Sequence, residues 1–296
     1  MASAAAAPVE RFAPSPTGLL HLGHAFSAFT AHDAARAAGG RFLLRIEDID
    51  RSRARPEYER AIFEDLAWLG LRWERPVMRQ SERMAAYRAA LDRLAGNGLL
   101  YPCRCTRRDI AAALSAPQEG APMHGPDGIV YPGTCRHRPL AEAGPEDALR
   151  LDMGKAIARL GGPAAVRRLV VEEIGPIHGG AHRLDPDLLV EGVGDVVLAR
   201  KGLGTSYHLA VVIDDAAQGV THVTRGEDLF AASFLHRLLQ ALLDLPVPRW
   251  RHHRLIRDAA GRRLAKRCDA RAIRRYRAEG ATPAEIRALL GLAPAG

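Results

Sequence analysis

The stretch Arg11-Phe-Ala-Pro-Ser-Pro-Thr-Gly-Leu-Leu-His-Leu-Gly-His24 decides how the rest of the chain is read. Its ingredients suit a strand that turns into a helix over a nucleotide. Two prolines stiffen the loop, Gly18 permits a tight turn, and Gly23 leaves room for a flat base against the backbone. His21 and His24 lie three apart, so in the first turn of a helix both imidazoles face one side. There they can donate hydrogen bonds to phosphate oxygens as charge develops. Two histidines near a helix start are ordinary exposed polar residues by themselves; the 14-residue string as a whole is specific.

Working outward, Arg41-Phe-Leu-Leu-Arg-Ile46 and Leu209-Ala-Val-Val-Ile213 predict strands, the second followed by Asp214-Asp215. Apolar spacing predicts helices over 23–38 and 56–69, with Pro56 suited to a first helical turn. Another is expected from Pro283 to Leu290, with Thr282 as its N-cap. Short apolar strands alternating with helices predict an α/β fold with a parallel sheet. The stretch from about 115 to 145 is rich in Gly and Pro and reads as an irregular insertion. The sequence shows no internal repeats and no extended linker.

The 296 residues suffice for one large domain or two small ones. No apolar run reaches the roughly 18 residues of a membrane span, and Met1 to Pro8 reads as a disordered tail rather than a signal peptide. Four cysteines without signs of secretion predict a cytoplasmic protein whose thiols bind metal. The formal charge of +8 is unevenly spread: Arg249 to Arg277 hold 12 basic residues and 2 acids, while the rest has 30 basic against 32 acidic. A basic block of that kind suits a polyanion-binding face, although only three of the 42 basic residues are lysines, a bias that inflates arginine everywhere.

The quoted string resembles the "HIGH" signature of class I aminoacyl-tRNA synthetases, in the form used by the glutamyl and glutaminyl enzymes. Arg45-Ile-Glu-Asp-Ile-Asp50 with Arg55-Pro-Glu-Tyr58, then Asp214-Asp215 and Thr224-Arg-Gly-Glu-Asp228, resemble later blocks of that family. Gly261-Arg-Arg-Leu-Ala-Lys-Arg267 sits where the family has its "KMSKS" loop, with Arg263 in place of the first lysine and Ala265 in place of the serine. The resemblance implies a Rossmann-type parallel sheet with a zinc-binding insertion and a short helical C-terminal segment. It divides the chain into sheet halves at about 9–100 and 201–245, a zinc insertion at 101–139, an acceptor-binding-like insertion at 140–200, and a loop with helices at 246–296.

An amino-acid pocket needs an anion for the substrate ammonium and cations for its carboxylates. Glu47 supplies the first, and Arg11 and Arg225 are candidates for the second. The resemblance selects glutamate and adds Ala13, Ser15 and Tyr207 to that pocket. It assigns ATP to Pro14, Thr17, Gly18, His21, Gly23, His24, Arg263 and Lys266, with Mg²⁺ accompanying the nucleotide. His21, His24 and Lys266 are the catalytic candidates, stabilising charge with no protein nucleophile.

Cys103-Arg-Cys105 and Cys135 offer three thiolates for a structural zinc, which takes four ligands. His124, His137 or Cys268 could complete the set; the resemblance points instead to Tyr131. Only 29 residues follow Arg267, less than an anticodon-reading domain needs. That combination is similar to short family members which form glutamyl adenylate without tRNA and pass glutamate to the queuosine base at the wobble position of tRNA(Asp). A monomer is expected. The alternatives are a compact enzyme charging tRNA(Glu), one piece of a split synthetase, or a non-catalytic zinc- and tRNA-binding relative.

Overall fold

The computed structural model describes residues 7–114, 124–125, 128–257 and 271–294. The chain first lays down β1 (Val9–Phe12), α1 (Leu22–Ala37), β2 (Arg41–Ile46), α2 (Pro56–Trp68), β3 (Glu74–Arg79), α3 (Met84–Gly96) and β4 (Leu100–Cys103). There follow α4 (Arg107–Leu114), β5 (His124–Gly125), β6 (Gly128–Ile129), β7 (Ala148–Leu151), α5 (Met153–Arg159), α6 (Pro163–Val166), β8 (Val170–Glu173), β9 (Gly180–Arg183), α7 (Pro186–Leu188) and β10 (Val197–Ala199). The last part holds α8 (Tyr207–Ala217), β11 (His222–Gly226), α9 (Phe230–Leu242), β12 (Arg249–His253), α10 (Ile273–Ala278) and α11 (Pro283–Leu289).

Seven strands form the main sheet in the order β3-β2-β1-β11-β12-β8-β9. Every pair is parallel except β8 with β9. The chain adds strands on one side of β1, then returns to the other side with β11. In open sheets of this kind the crevice at the carboxyl ends beside that reversal is where ligands bind. Strands β4, β7 and β10 make a separate antiparallel sheet in the order β10-β7-β4.

Side chains along β2 alternate between two apolar layers, as the period of a strand requires. Phe42, Leu44 and Ile46 pack with α1, α2 and the C-terminal helices, including Phe29, Ile62, Leu66, Ile273 and Ile286. Leu43 packs on the other face with Leu91 of α3, Leu209 of α8 and Leu235 of α9. Each fully buried Leu, Ile or Phe here contributes about 1.5–3 kcal/mol. Arg45 shares the parity of Leu43 and so points at α8, wholly buried. That placement brings a guanidinium, rather than another apolar group, beneath the site.

Leu209 to Ile213 is helical, contrary to the strand expected there. Ser206 caps α8, its hydroxyl accepting from the Leu209 amide, and the helix is buried from His208 to Val212. An apolar run hidden on all sides carries no periodicity to separate helix from strand. Asp214 and Asp215 continue the same helix and anchor it. Tyr87 and Gln80 donate to Asp214, while Arg11 and Arg45 donate to Asp215. At the far end of the chain α11 begins as expected, with Thr282 and Glu285 forming a reciprocal capping box. No helix among the described residues is long and apolar enough to cross a membrane.

Candidate active site

His21 is the N-cap of α1 and His24 its third residue. The Gly23 amide donates to Nδ1 of His21 at 3.1 Å, and the His21 amide donates to Nδ1 of His24 at 3.2 Å. Each ring, accepting at Nδ1, then carries its proton on Nε2, the edge that donates outward. The two ring centroids lie 3.8 Å apart, and the helix amides behind them favour an anion. A β-carbon on Gly23 would stand 3.0 Å from the His21 ring. Glycine there lets the imidazole fold over the helix end.

Beyond β2, Glu47 meets Arg45, whose Nη2 lies 3.1 Å from Glu47 Oε1. Arg45 Nη1 reaches Asp215 at 2.7 Å, and Arg11 Nε reaches the same carboxylate oxygen at 3.1 Å. Burial pushes the Glu47 carboxyl up, opposed by Arg45 and Arg11. Burial also opposes ionisation of Asp215, yet Arg11 and Arg45 hold its pKa below the usual value. Two cations thus share two carboxylates in a dry wall, where losing one partner would strand a charge.

Arg225, at the end of β11, has a different environment. It donates to His252, Tyr207, His236, the Leu229 carbonyl and Ser233, none of them a carboxylate. Its shortest bond, 2.7 Å to Ser233, and the bond from Nε at 3.1 Å fix one edge. The Nη1 contacts to Tyr207 and His236 are longer, at 3.3 and 3.2 Å. Burial depresses the pKa of Arg225 and holds neighbouring His236 well below its ordinary value. The guanidinium therefore presents positive charge among neutral neighbours, a setting suited to an anionic ligand.

These groups line one cavity of about 380 Å³. Arg11, Ala13, Pro14, Ser15, His21, Gly23, His24, Glu47, Tyr207 and Arg225 all border it. Thr17 and Gly18 border an adjoining open cavity instead, which shares His21 with the first and carries Arg271, Arg274 and Arg275 on its wall. Arg263 and Lys266 lie outside the described residues, as does Ala265. The cavity also uses residues without a sequence signal, among them Ser27, Leu255 and His253. His253 Nδ1 lies 2.9 Å from the Arg254 carbonyl, while its buried Nε2 has no hydrogen-bond partner among the described residues. Only the position of β12 beside β11 brings it there.

Cys103, Cys105 and Cys135 place their sulfurs within 4.8 Å of one another. The Tyr131 hydroxyl sits 3.5 Å from both Cys103 and Cys105, and accepts from the Cys135 amide at 2.8 Å. Sulfurs around a tetrahedral zinc with ~2.3 Å bonds stand ~3.8 Å apart, close to the 3.5 Å between Cys105 and Cys135. Burial raises the Cys105 thiol to about 11. Burial acts the same way on Cys135, but the Tyr131 hydroxyl and the Arg104 amide outweigh it and bring that thiol to about 7. Three soft donors and a phenol oxygen fit a zinc-type site. His137 is not part of this cluster; Cys268 and the His124 side chain lie outside the described residues.

The chain belongs to the class I tRNA synthetases of the glutamyl and glutaminyl type: the model of that family's catalytic domain matches residues 9–139 and 144–294. It therefore carries a synthetase, ligase-type catalytic domain. It is 62% identical to the glutamyl-Q tRNA(Asp) synthetase of Rhodobacter capsulatus, over 96% of this chain and all of that protein. Its identity to the protein of the same name from Nocardia farcinica is 42%, over 95% of this chain and 82% of that one. Among solved structures, the glutamate-tRNA synthetase of Elizabethkingia anophelis superposes with a TM-score of 0.74 at 26% identity. That match covers 97% of this chain but 62% of the other, so this chain spans less than two thirds of that structure.

Proposed function

We propose that this protein activates glutamate with ATP, without tRNA, and then transfers the glutamyl group to the queuosine base at the wobble position of tRNA(Asp). The convergence of Glu47, Arg11, Arg225 and the His21–His24 pair on one cavity carries this reading. Glu47 would hold the substrate ammonium, and Arg225 with Tyr207 the side-chain carboxylate. The α-carboxylate oxygen then attacks the α-phosphorus of ATP. The bond from that phosphorus to the bridging oxygen breaks, and pyrophosphate leaves with the electron pair. His21 and His24 donate through Nε2 to phosphate oxygens during the displacement, and Lys266 adds positive charge. Magnesium, when bound with ATP, neutralises phosphate charge. In the second step a hydroxyl of the acceptor attacks the glutamyl carbonyl, and AMP departs.

Cys103, Cys105, Cys135 and Tyr131 would hold a zinc ion that organises the proposed 101–139 insertion, a segment too small for a core of its own. The choice of queuosine over a terminal ribose is supported by the similarity to relatives named for that reaction. The first step is tested by ATP–pyrophosphate exchange in the absence of RNA. Exchange with glutamate but not with glutamine or aspartate is expected, and no exchange with glutamate would overturn the reading.

A further inference from the structure

From Arg225 a buried chain runs into the sheet through two residues outside the quoted motifs, His252 and Glu173. Arg225 Nε donates to Nε2 of His252 at 3.1 Å, so that nitrogen is a lone pair and the His252 proton sits on Nδ1. Nδ1 lies 2.5 Å from Oε2 of Glu173, whose side chain has no solvent exposure. The other oxygen of Glu173 accepts from the amides of His252 and Gly175, at 2.8 and 2.7 Å. The backbone is shaped around this carboxylate: a β-carbon on Gly175 would stand 2.5 Å from Glu173 Oε1 and 2.6 Å from the His252 carbonyl oxygen. Burial first, then Arg225, bring His252 to about 4, which keeps the imidazole neutral.

We infer that Glu173, acting through His252, is a positioning and specificity-determining residue that aims Arg225 at the substrate's side-chain carboxylate. The inference rests on the proposed role of Arg225 in gripping that group. Its physical content is a division of labour. A carboxylate in direct contact with Arg225 would compete with the ligand for the same guanidinium. Set one imidazole away, Glu173 balances the buried charge and fixes the tautomer without occupying the Nη1 edge beside Tyr207. Neither Glu173 nor His252 lines the cavity, so neither acts by touching substrate.

Glu173→Gln tests this because its geometry dictates an outcome. The Gln carbonyl must still accept from the two amides, which puts the NH₂ group against His252 Nδ1. His252 is then driven to the Nε2–H form, which sets a donor against Arg225 Nε. In ATP–pyrophosphate exchange the KM for glutamate is expected to rise at least about tenfold, with the KM for ATP unchanged and Glu173→Asp restoring most of the loss. In ¹⁵N-histidine spectra, His252 is expected as Nδ1–H in the unaltered protein and as Nε2–H in Glu173→Gln. An unchanged KM for glutamate, or a wild-type His252 that is Nε2–H or doubly protonated, overturns the inference. The spectrum of the unaltered protein decides the matter even if Glu173→Gln does not fold. If that protein shows no glutamate-dependent exchange, the proposed function falls, while the tautomer still tests the relay.

Discussion

Glu47 lies 3.1 Å from Arg45, and Arg45 in turn lies 2.7 Å from Asp215. The carboxylate that would receive the substrate ammonium thus pairs with a cation anchored on a different element. Burial raises the Glu47 carboxyl, and Arg45 is the first group opposing it. Glu47→Gln keeps the size and removes the charge, while Asp215 still pairs Arg45. Exchange assays are expected to show the KM for glutamate rising about 10- to 100-fold, as loss of a charge-assisted bond implies. The KM for ATP should not move. An unchanged KM for glutamate would remove Glu47 from the amino-acid site.

The sulfur cluster makes a separate prediction. Elemental analysis is expected to find about one zinc per chain, bound by Cys103, Cys105, Cys135 and Tyr131. Cys105→Ser should lower the zinc content and the Tm together, because metal binding and local folding are coupled. A metal-free preparation with unaltered Tm would end the structural role.

Asp65 in α2 supplies a pH test of stability. Among the described residues neither of its oxygens has a hydrogen-bond partner, and Arg277 of α10 lies 3.8 Å away. Burial raises its carboxyl to about 6, with Arg277 and Arg274 offsetting part of the effect. The folded chain then binds this proton more tightly than the unfolded chain, whose carboxyl has a pKa of ~3.9. Stability falls as pH rises from about 4 to about 6 and is flat above that. Asp65→Asn should be the more stable protein at pH 7.5, by about 1–3 kcal/mol, with the gain vanishing near pH 4. A Tm difference that is absent, or that ignores pH, would contradict this.

Lys266→Ala should slow glutamate-dependent exchange by about 10²–10³-fold, as for loss of one transition-state donor, leaving the KM for glutamate unaltered. An unchanged rate would take residues 261–267 out of the chemistry.

Much of this site is legible in the sequence because it is carried by contiguous strings. His21 and His24 cap one helix, and Glu47 follows the strand in which Arg45 is buried, so local order alone brings them close. The helix over Leu209–Ile213 is not legible as one because its burial on every side erases the 3.6-residue signal. Glu173 and His252 are 79 positions apart and meet only because β8 lies beside β12. No local pattern marks such a pair, since its chemistry comes from sheet order. The same reason hides His253, an ordinary strand-end residue until β12 is set next to β11.

The most direct test of the central claim follows radiolabelled glutamate, with ATP, into tRNA(Asp) carrying queuosine and, separately, into tRNA(Glu). Label is expected on the queuosine-containing tRNA(Asp) alone, and is expected to vanish when the same tRNA lacks queuosine. Label on tRNA(Glu) instead would make this a compact synthetase of the ordinary charging kind and contradict the proposed acceptor.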